Sequence, residues 1–176
     1  MTNNAPSLQV ALVDHAAIVK VDGRANFNTS VTFKRLVTEL KNRGFDQFLV
    51  DLSDCVTMDS TFLGVLAGFG LKGSVAKPEP GNIAIELLNP NERIMELLES
   101  LGVLHLFKVA QGPAQSETVD SSAMTPACPT KEEVTRACLE AHQTLMGLNP
   151  QNAAKFKDVA AFLAEDLRKG KSAPEQ

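Results

Sequence analysis

Asp59-Ser60-Thr61 sets a carboxylate and two hydroxyls directly ahead of an apolar run, Phe62, Leu63, Val65, Leu66 and Phe69. That run has helical spacing, so the placement predicts Ser60 as the helix N-cap, with Asp59 adding negative charge at the positive end of the helix dipole. The plain reading of this group is a good helix cap, against which any functional role has to be weighed. Hydrolysis would need a base beside the hydroxyl. The histidines are His15, His105 and His142, none linked to Ser60 by local sequence, and the flanks Met58-Asp59 and Thr61-Phe62 do not make a Gly-x-Ser-x-Gly elbow. A serine hydrolase therefore requires one of these histidines to come within about 2.6–3.2 Å of Ser60 in the fold.

Other patterns have plainer readings. Gly68-Phe69-Gly70-Leu71-Lys72-Gly73 matches G-x-G-x-x-G, but it closes a predicted helix instead of following a strand, so it predicts close packing and a glycine exit, and no cofactor is expected. Asp51, near the end of a predicted strand, is read as a turn or cap residue, since the acidic pair that would support a phospho-acceptor aspartate is missing. Cys55, Cys128 and Cys138 are odd in number and widely spaced, fitting neither a disulfide framework nor a metal site.

The elements that must position Asp59 and Ser60 follow from patterning. Leu8–Val13 and Ala17–Val21 read as a β-hairpin around Asp14-His15-Ala16. Val31, Phe33, Leu36, Val37 and Leu40 predict an amphipathic helix over 29–43, stopped by Gly44. Phe48–Leu52 reads as a strand buried on both faces, and Asn82–Leu87 as a fourth strand. Asn89-Pro90 starts a third helix closed by Gly102, and Leu106–Val109 makes the last strand. The order β-β-α-β-α-β-α-β predicts an α/β fold with a mixed sheet.

Composition changes at residues 112–130, which read as a Pro- and Ser/Thr-rich linker between a compact unit at 7–111 and a C-terminal αα-hairpin at 131–170. Thr130 and Glu133 have capping-box spacing, Gly147 is expected to end the first tail helix, and Asn149-Pro150 to start the second. Val134, Cys138, Ala141 and Leu145 are expected to face Phe156, Val159, Ala160 and Leu163, with the rest of the stripe docking on the same chain or, by self-association, on a second copy.

The balance of 17 basic and 21 acidic residues, net charge −4, has no Lys/Arg block, so direct nucleic-acid binding is not expected. The longest uncharged run falls far short of the ~20 apolar residues that span a bilayer, and the N-terminus has no signal-peptide pattern, so no membrane association and a cytoplasmic location are expected.

Val50-Asp51-Leu52-Ser53, Met58-Asp59-Ser60-Thr61, Leu63-Gly64-Val65-Leu66, Asn91-Glu92-Arg93-Ile94 and Leu101-Gly102-Val103-Leu104 together resemble the STAS domain of bacterial anti-sigma factor antagonists, over about residues 8–110. The resemblance implies a non-enzymatic partner switch. The unmodified protein would bind an anti-sigma factor with serine kinase activity, phosphorylation of Ser60 would release it, and a serine phosphatase would reset the cycle. Asp59, Thr61 and Phe62 would lie in the partner-binding surface. Phe62 stands where many members have glycine, either as extra core or as part of the binding face. The alternative within the same fold is a module that senses a small ligand or nucleotide, or scaffolds a signalling complex, without a serine switch.

Overall fold

The computed structural model describes residues 6–73, 82–113, 122–123 and 128–171. Strands β1 (Ser7–Val13) and β2 (Ala16–Ala25) pair antiparallel with Val13 opposite Ala16. Asp14-His15 is thus a two-residue turn, and Asp14 takes a left-handed φ of 52° that aspartate tolerates better than most residues. β2 is longer than its apolar run because it serves two partners. Its first half pairs in parallel with β3 (Gln47–Asp51), and its second half, beyond a register shift at Gly23, pairs with β4 (Cys55–Met58), a strand the sequence did not announce. Between β2 and β3 runs α1 (Phe27–Asn42), whose N-cap Asn26 accepts from the amides of Asn28 and Thr29 at 3.1 Å each. Gly44, at φ 97°, follows its end as expected.

β4 leads through Asp59 into α2 (Ser60–Lys72), followed by β5 (Ala84–Leu88), α3 (Glu92–Ser100), a 3-10 turn at Leu104–Leu106 and β6 (Lys108–Ala110). The start of α3 differs from expectation. Asn91 is its cap, taking the Ile94 amide at 3.0 Å, while Asn89 adopts φ 52° and bonds Ser53 and Gly112. A short strand β7 (Ser122–Ala123), within the expected linker, pairs with β1; residues 114–121 and 124–127 of that linker lie outside the described residues. The mixed seven-stranded sheet has the order β6-β5-β3-β2-β1-β7, with β4 beside β2.

The core lies against one face of the sheet. Val19, Val50 and Leu87 form a row across β2, β3 and β5 and pack with Phe33, Phe62, Leu66 and Leu98 from the helices. The opposite row is Ile18, Leu49, Glu86 and Lys108, in which Leu49 is only half-buried and Glu86 pairs with Lys108 at 3.2 Å. β3 is therefore fully covered on one face, not two, because the helices' buried side chains converge on a single side. Asp51 acts as a turn residue, its Oδ1 accepting from the Ser53 amide at 3.0 Å and the Ser53 hydroxyl at 2.5 Å.

The chain ends in α4 (Lys131–Leu148) and α5 (Pro150–Lys171). The Thr130/Glu133 capping box is formed in both directions. α4 passes through Gly147, and the stop falls at Asn149, in extended backbone as Pro150 demands of its predecessor. Ala141 and Leu145 belong to the same buried cluster as Phe62 and Leu66, so α4 is docked on the α/β unit, while α5 packs on α4. Val159, expected on the inner stripe, is 45% exposed. Among the described residues no helix is long and apolar enough to cross a membrane.

Candidate functional site

The first turn of α2 is built by its predecessor strand. The Asp59 amide donates to the Ala25 carbonyl at 2.9 Å, which fixes Asp59 in extended backbone, and its Oδ1 then accepts from the Phe62 amide at 2.8 Å. Asp59, and not Ser60, is the N-cap. Burial pushes the Asp59 carboxyl above its ordinary pKa, opposed by the amides of Phe62, Phe27 and Thr61 and by His142. Ser60 becomes the first helical residue, its hydroxyl free of capping duty and half-buried.

That hydroxyl meets the tail. Ser60 Oγ lies 2.9 Å from Nε2 of His142 on α4. His142 is buried, and its ring stacks at 4.9 Å between centroids against Phe156 of α5. Burial lowers the His142 pKa, with the Cys138 carbonyl and Asp59 working against it, so the imidazole is neutral at pH 7. The Cys138 carbonyl influences the ring without a hydrogen bond of good geometry, and Nδ1 is left buried without a partner. One residue along, Thr61 Oγ1 donates to Cys138 Sγ at 3.4 Å, and burial raises the pKa of that thiol.

Phe62 is completely buried, its ring 5.1 Å from that of Phe33. With α4 docked it stands as extra core, the first of the two readings its place beside the serine allowed. Thr61 is 5% exposed. Both face inward here, so of the expected contact residues only Asp59 and Ser60 retain partial exposure.

Three further contacts hold α4 and α5 in place. A Cβ added at Gly64 of α2 would sit 2.6 Å from both the Cβ and the carbonyl oxygen of Ala141, so the two helices touch backbone to backbone. Lys34 and Arg35 of α1 pair with Glu140 and Glu133 of α4. Asn152, wholly buried in α5, donates from Nδ2 to the carbonyls of Leu101 and Leu145, each at 2.9 Å.

Sequence reasoning brought no histidine to Ser60, and the structure brings His142. The available signal was a histidine on the stripe Cys138, Ala141, Leu145, where an apolar residue would ordinarily stand. The distance a hydrolase needs is met, but the rest of its machinery is not assembled. Among the described residues no carboxylate orients Nδ1, Oδ1 of Asp59 accepts from the Phe62 amide, and α4 lies across the serine. The G-x-G-x-x-G glycines lie inside α2 and at its end, where a Cβ on Gly70 would approach the Phe107 ring to 3.0 Å and one on Gly73 would overlap the Ile83 carbonyl. Among the described residues no group of three or more His, Cys, Asp or Glu could hold a metal ion.

Residues 7–116 match the STAS domain family. No curated protein matches the chain. Among solved structures, the anti-sigma factor antagonist SpoIIAA in its unphosphorylated form is similar at 15% identity and a TM-score of 0.50, over 59% of this chain and 88% of that one. An anti-sigma factor antagonist from Mycobacterium paratuberculosis gives 15% identity and a TM-score of 0.50, over 64% of this chain and 90% of its own. A Thermotoga maritima protein shares the fold at 22% identity and a TM-score of 0.51, over 60% and 86%. With sheet, helices and family match agreeing over the same residues, the chain belongs to the STAS domain family.

Proposed function

We propose that this protein is an anti-sigma factor antagonist working by partner switching, without catalysis of its own. In its unphosphorylated form it holds an anti-sigma factor that is also a serine kinase. The kinase transfers the terminal phosphoryl group of a nucleoside triphosphate to Ser60 Oγ: the new O–P bond forms, the bond to the diphosphate breaks, and the hydroxyl proton passes to a base. The phosphorylated protein lets go, and a serine phosphatase restores it. The observation that carries this reading is that Asp59 caps α2, so the adjacent Ser60 hydroxyl can take a phosphate without loss of the cap. A phosphate adds about −1.5 to −2 charges beside Asp59, and about 1.4 kcal/mol of differential binding already shifts a partner tenfold.

The test is phosphosite mapping of the native protein together with affinity for a histidine-kinase-like ATPase domain encoded beside its gene. Phosphate on Ser60 with at least about tenfold weaker binding supports the reading; equal affinity of the two forms rejects it. A groove of about 370 Å³ along the middle of α2, lined by Lys34, Gly64, Phe69, Glu140 and Thr144, favours a second reading, a ligand-sensing STAS module. That function would survive Ser60→Ala, because the groove does not include Ser60.

A further inference from the structure

The hairpin α4–α5 lies outside the residues that define the family, yet it seals the one surface that the proposed switch must present. Its first helix crosses the start of α2, sets His142 on the Ser60 hydroxyl and Cys138 on Thr61, and buries Ala141 and Leu145 beside Phe62 and Leu66. A kinase needs the Ser60 oxygen in line with its phosphoryl donor. That line is taken by the His142 ring, itself backed by Phe156.

The geometry points to the α4–α5 hairpin as a built-in cover of Ser60, one that competes in cis with the kinase for the N-terminal end of α2. This rests on the serine-switch reading. The hairpin must swing off before Ser60 is phosphorylated or the α2 surface is bound. Once made, a phosphate on Oγ occupies the space of the imidazole and keeps the hairpin from returning to the same seat. The docked state is anchored by the buried Ala141 and Leu145 and by Asn152 on the Leu101 carbonyl, and around them lie weaker contacts that can open first. There are two partly exposed ion pairs to α1, worth little each, a backbone-to-backbone touch at Gly64, and a tether that keeps the released hairpin at high local concentration.

Two native thiols report docking in the full chain: Cys138, pressed on Thr61, and Cys128, exposed ahead of α4. Site-resolved alkylation with iodoacetamide should modify Cys138 at least about tenfold more slowly than Cys128, because reaction waits for local opening. Gly64→Leu, which forces α2 and α4 apart, should bring the two rates to within about threefold. Lys34→Glu with Arg35→Glu, on the outer surface of α1, should move the ratio the same way by a few-fold and serves if Gly64→Leu does not fold. In producing cells the phosphorylated fraction at Ser60 should rise at least about threefold in whichever variant opens the hairpin. Cys138 reacting as fast as Cys128 in the native chain overturns the cover. So does an opened hairpin with unchanged Ser60 phosphorylation. Ser60 unphosphorylated in both native and opened protein sinks the switch reading itself, even where alkylation shows a docked hairpin, and the cover then has nothing to regulate.

Discussion

Ser60 Oγ and His142 Nε2 meet at 2.9 Å across 82 residues of chain, joining the first helical residue of α2 to the inner face of α4. Removing either partner should be felt unequally. Ser60→Ala loses one half-buried hydrogen bond and no cap, about 0.5–1.5 kcal/mol. His142→Ala also leaves a cavity beside Phe156 and should cost about 1–3 kcal/mol in urea unfolding. Equal losses would show that packing of the ring contributes nothing.

Asp59 carries the cap, so Asp59→Ala should destabilise by about 0.5–2 kcal/mol and Asp59→Ser by much less. Ser60→Ala should leave the helix cap intact. Melting of Asp59→Ala against Asp59→Ser decides the assignment, and equal losses in those two variants would take the capping role from Asp59.

Stability should fall as the solution is acidified through the His142 range. Its folded pKa lies below the ordinary 6.5, so the unfolded chain takes up a proton first, and the stabilisation present above pH 6.5 is lost progressively below it. Asp59 acts with the opposite sign: its raised pKa makes the folded state bind more protons between 3.8 and its folded value, so its unfavourable contribution grows as pH rises through that range. Between pH 7.5 and 5.5 the His142 effect should be seen as a fall in the urea midpoint that is absent in His142→Phe. The same fall in His142→Phe would assign the pH dependence elsewhere.

Three glycines of α2 should answer differently to alanine. At Gly68 nothing lies within 4 Å of an added Cβ, and the gain in helix propensity should stabilise by up to about 1 kcal/mol. At Gly70 the Phe107 ring edge, 3.0 Å away, must yield a few tenths of an ångström, so that gain is largely cancelled. At Gly64 the 2.6 Å approach to the Ala141 backbone forces helices apart, and a loss of about 1–3 kcal/mol is expected. Thermal unfolding of the three single variants gives the order Gly68, Gly70, Gly64 from most to least stable.

Asn152 should be among the least replaceable residues of the hairpin. Its amide serves the Leu101 and Leu145 carbonyls at once, and since Leu145 keeps the Asn149 amide at 3.3 Å, Asn152→Ala strands the buried Leu101 carbonyl at a cost of about 1–3 kcal/mol. Asn152→Leu should be no better despite its size, and recovery in that variant would mean that packing, not hydrogen bonding, ties α5 to the end of α3.

The STAS unit was legible because its signals are local: short apolar runs around a turn in β1 and β2, helical spacing in α1, and glycine after its end. β4 was not, since Cys55-Val56-Thr57-Met58 has neither alternation nor length, and it becomes a strand only by pairing with Gly23–Ala25. The choice between Asp59 and Ser60 as cap was equally closed to inspection. Both are good caps, and the decision comes from the Ala25 carbonyl, which holds Asp59 extended. His142 was readable as a histidine on a buried stripe, but what that stripe covers is a matter of packing between residues far apart in the chain.

The separation of Ser60 from His142 also gives the site a history within each molecule. Synthesis adds about 5–20 residues per second, so the 82 residues between them occupy roughly 4–16 s. Over that interval a nascent chain already carries the serine and has no imidazole to lay on it. Every newly made copy therefore passes through a stage in which Ser60 has no imidazole over it, and the contact between α2 and α4 is among the last that synthesis allows.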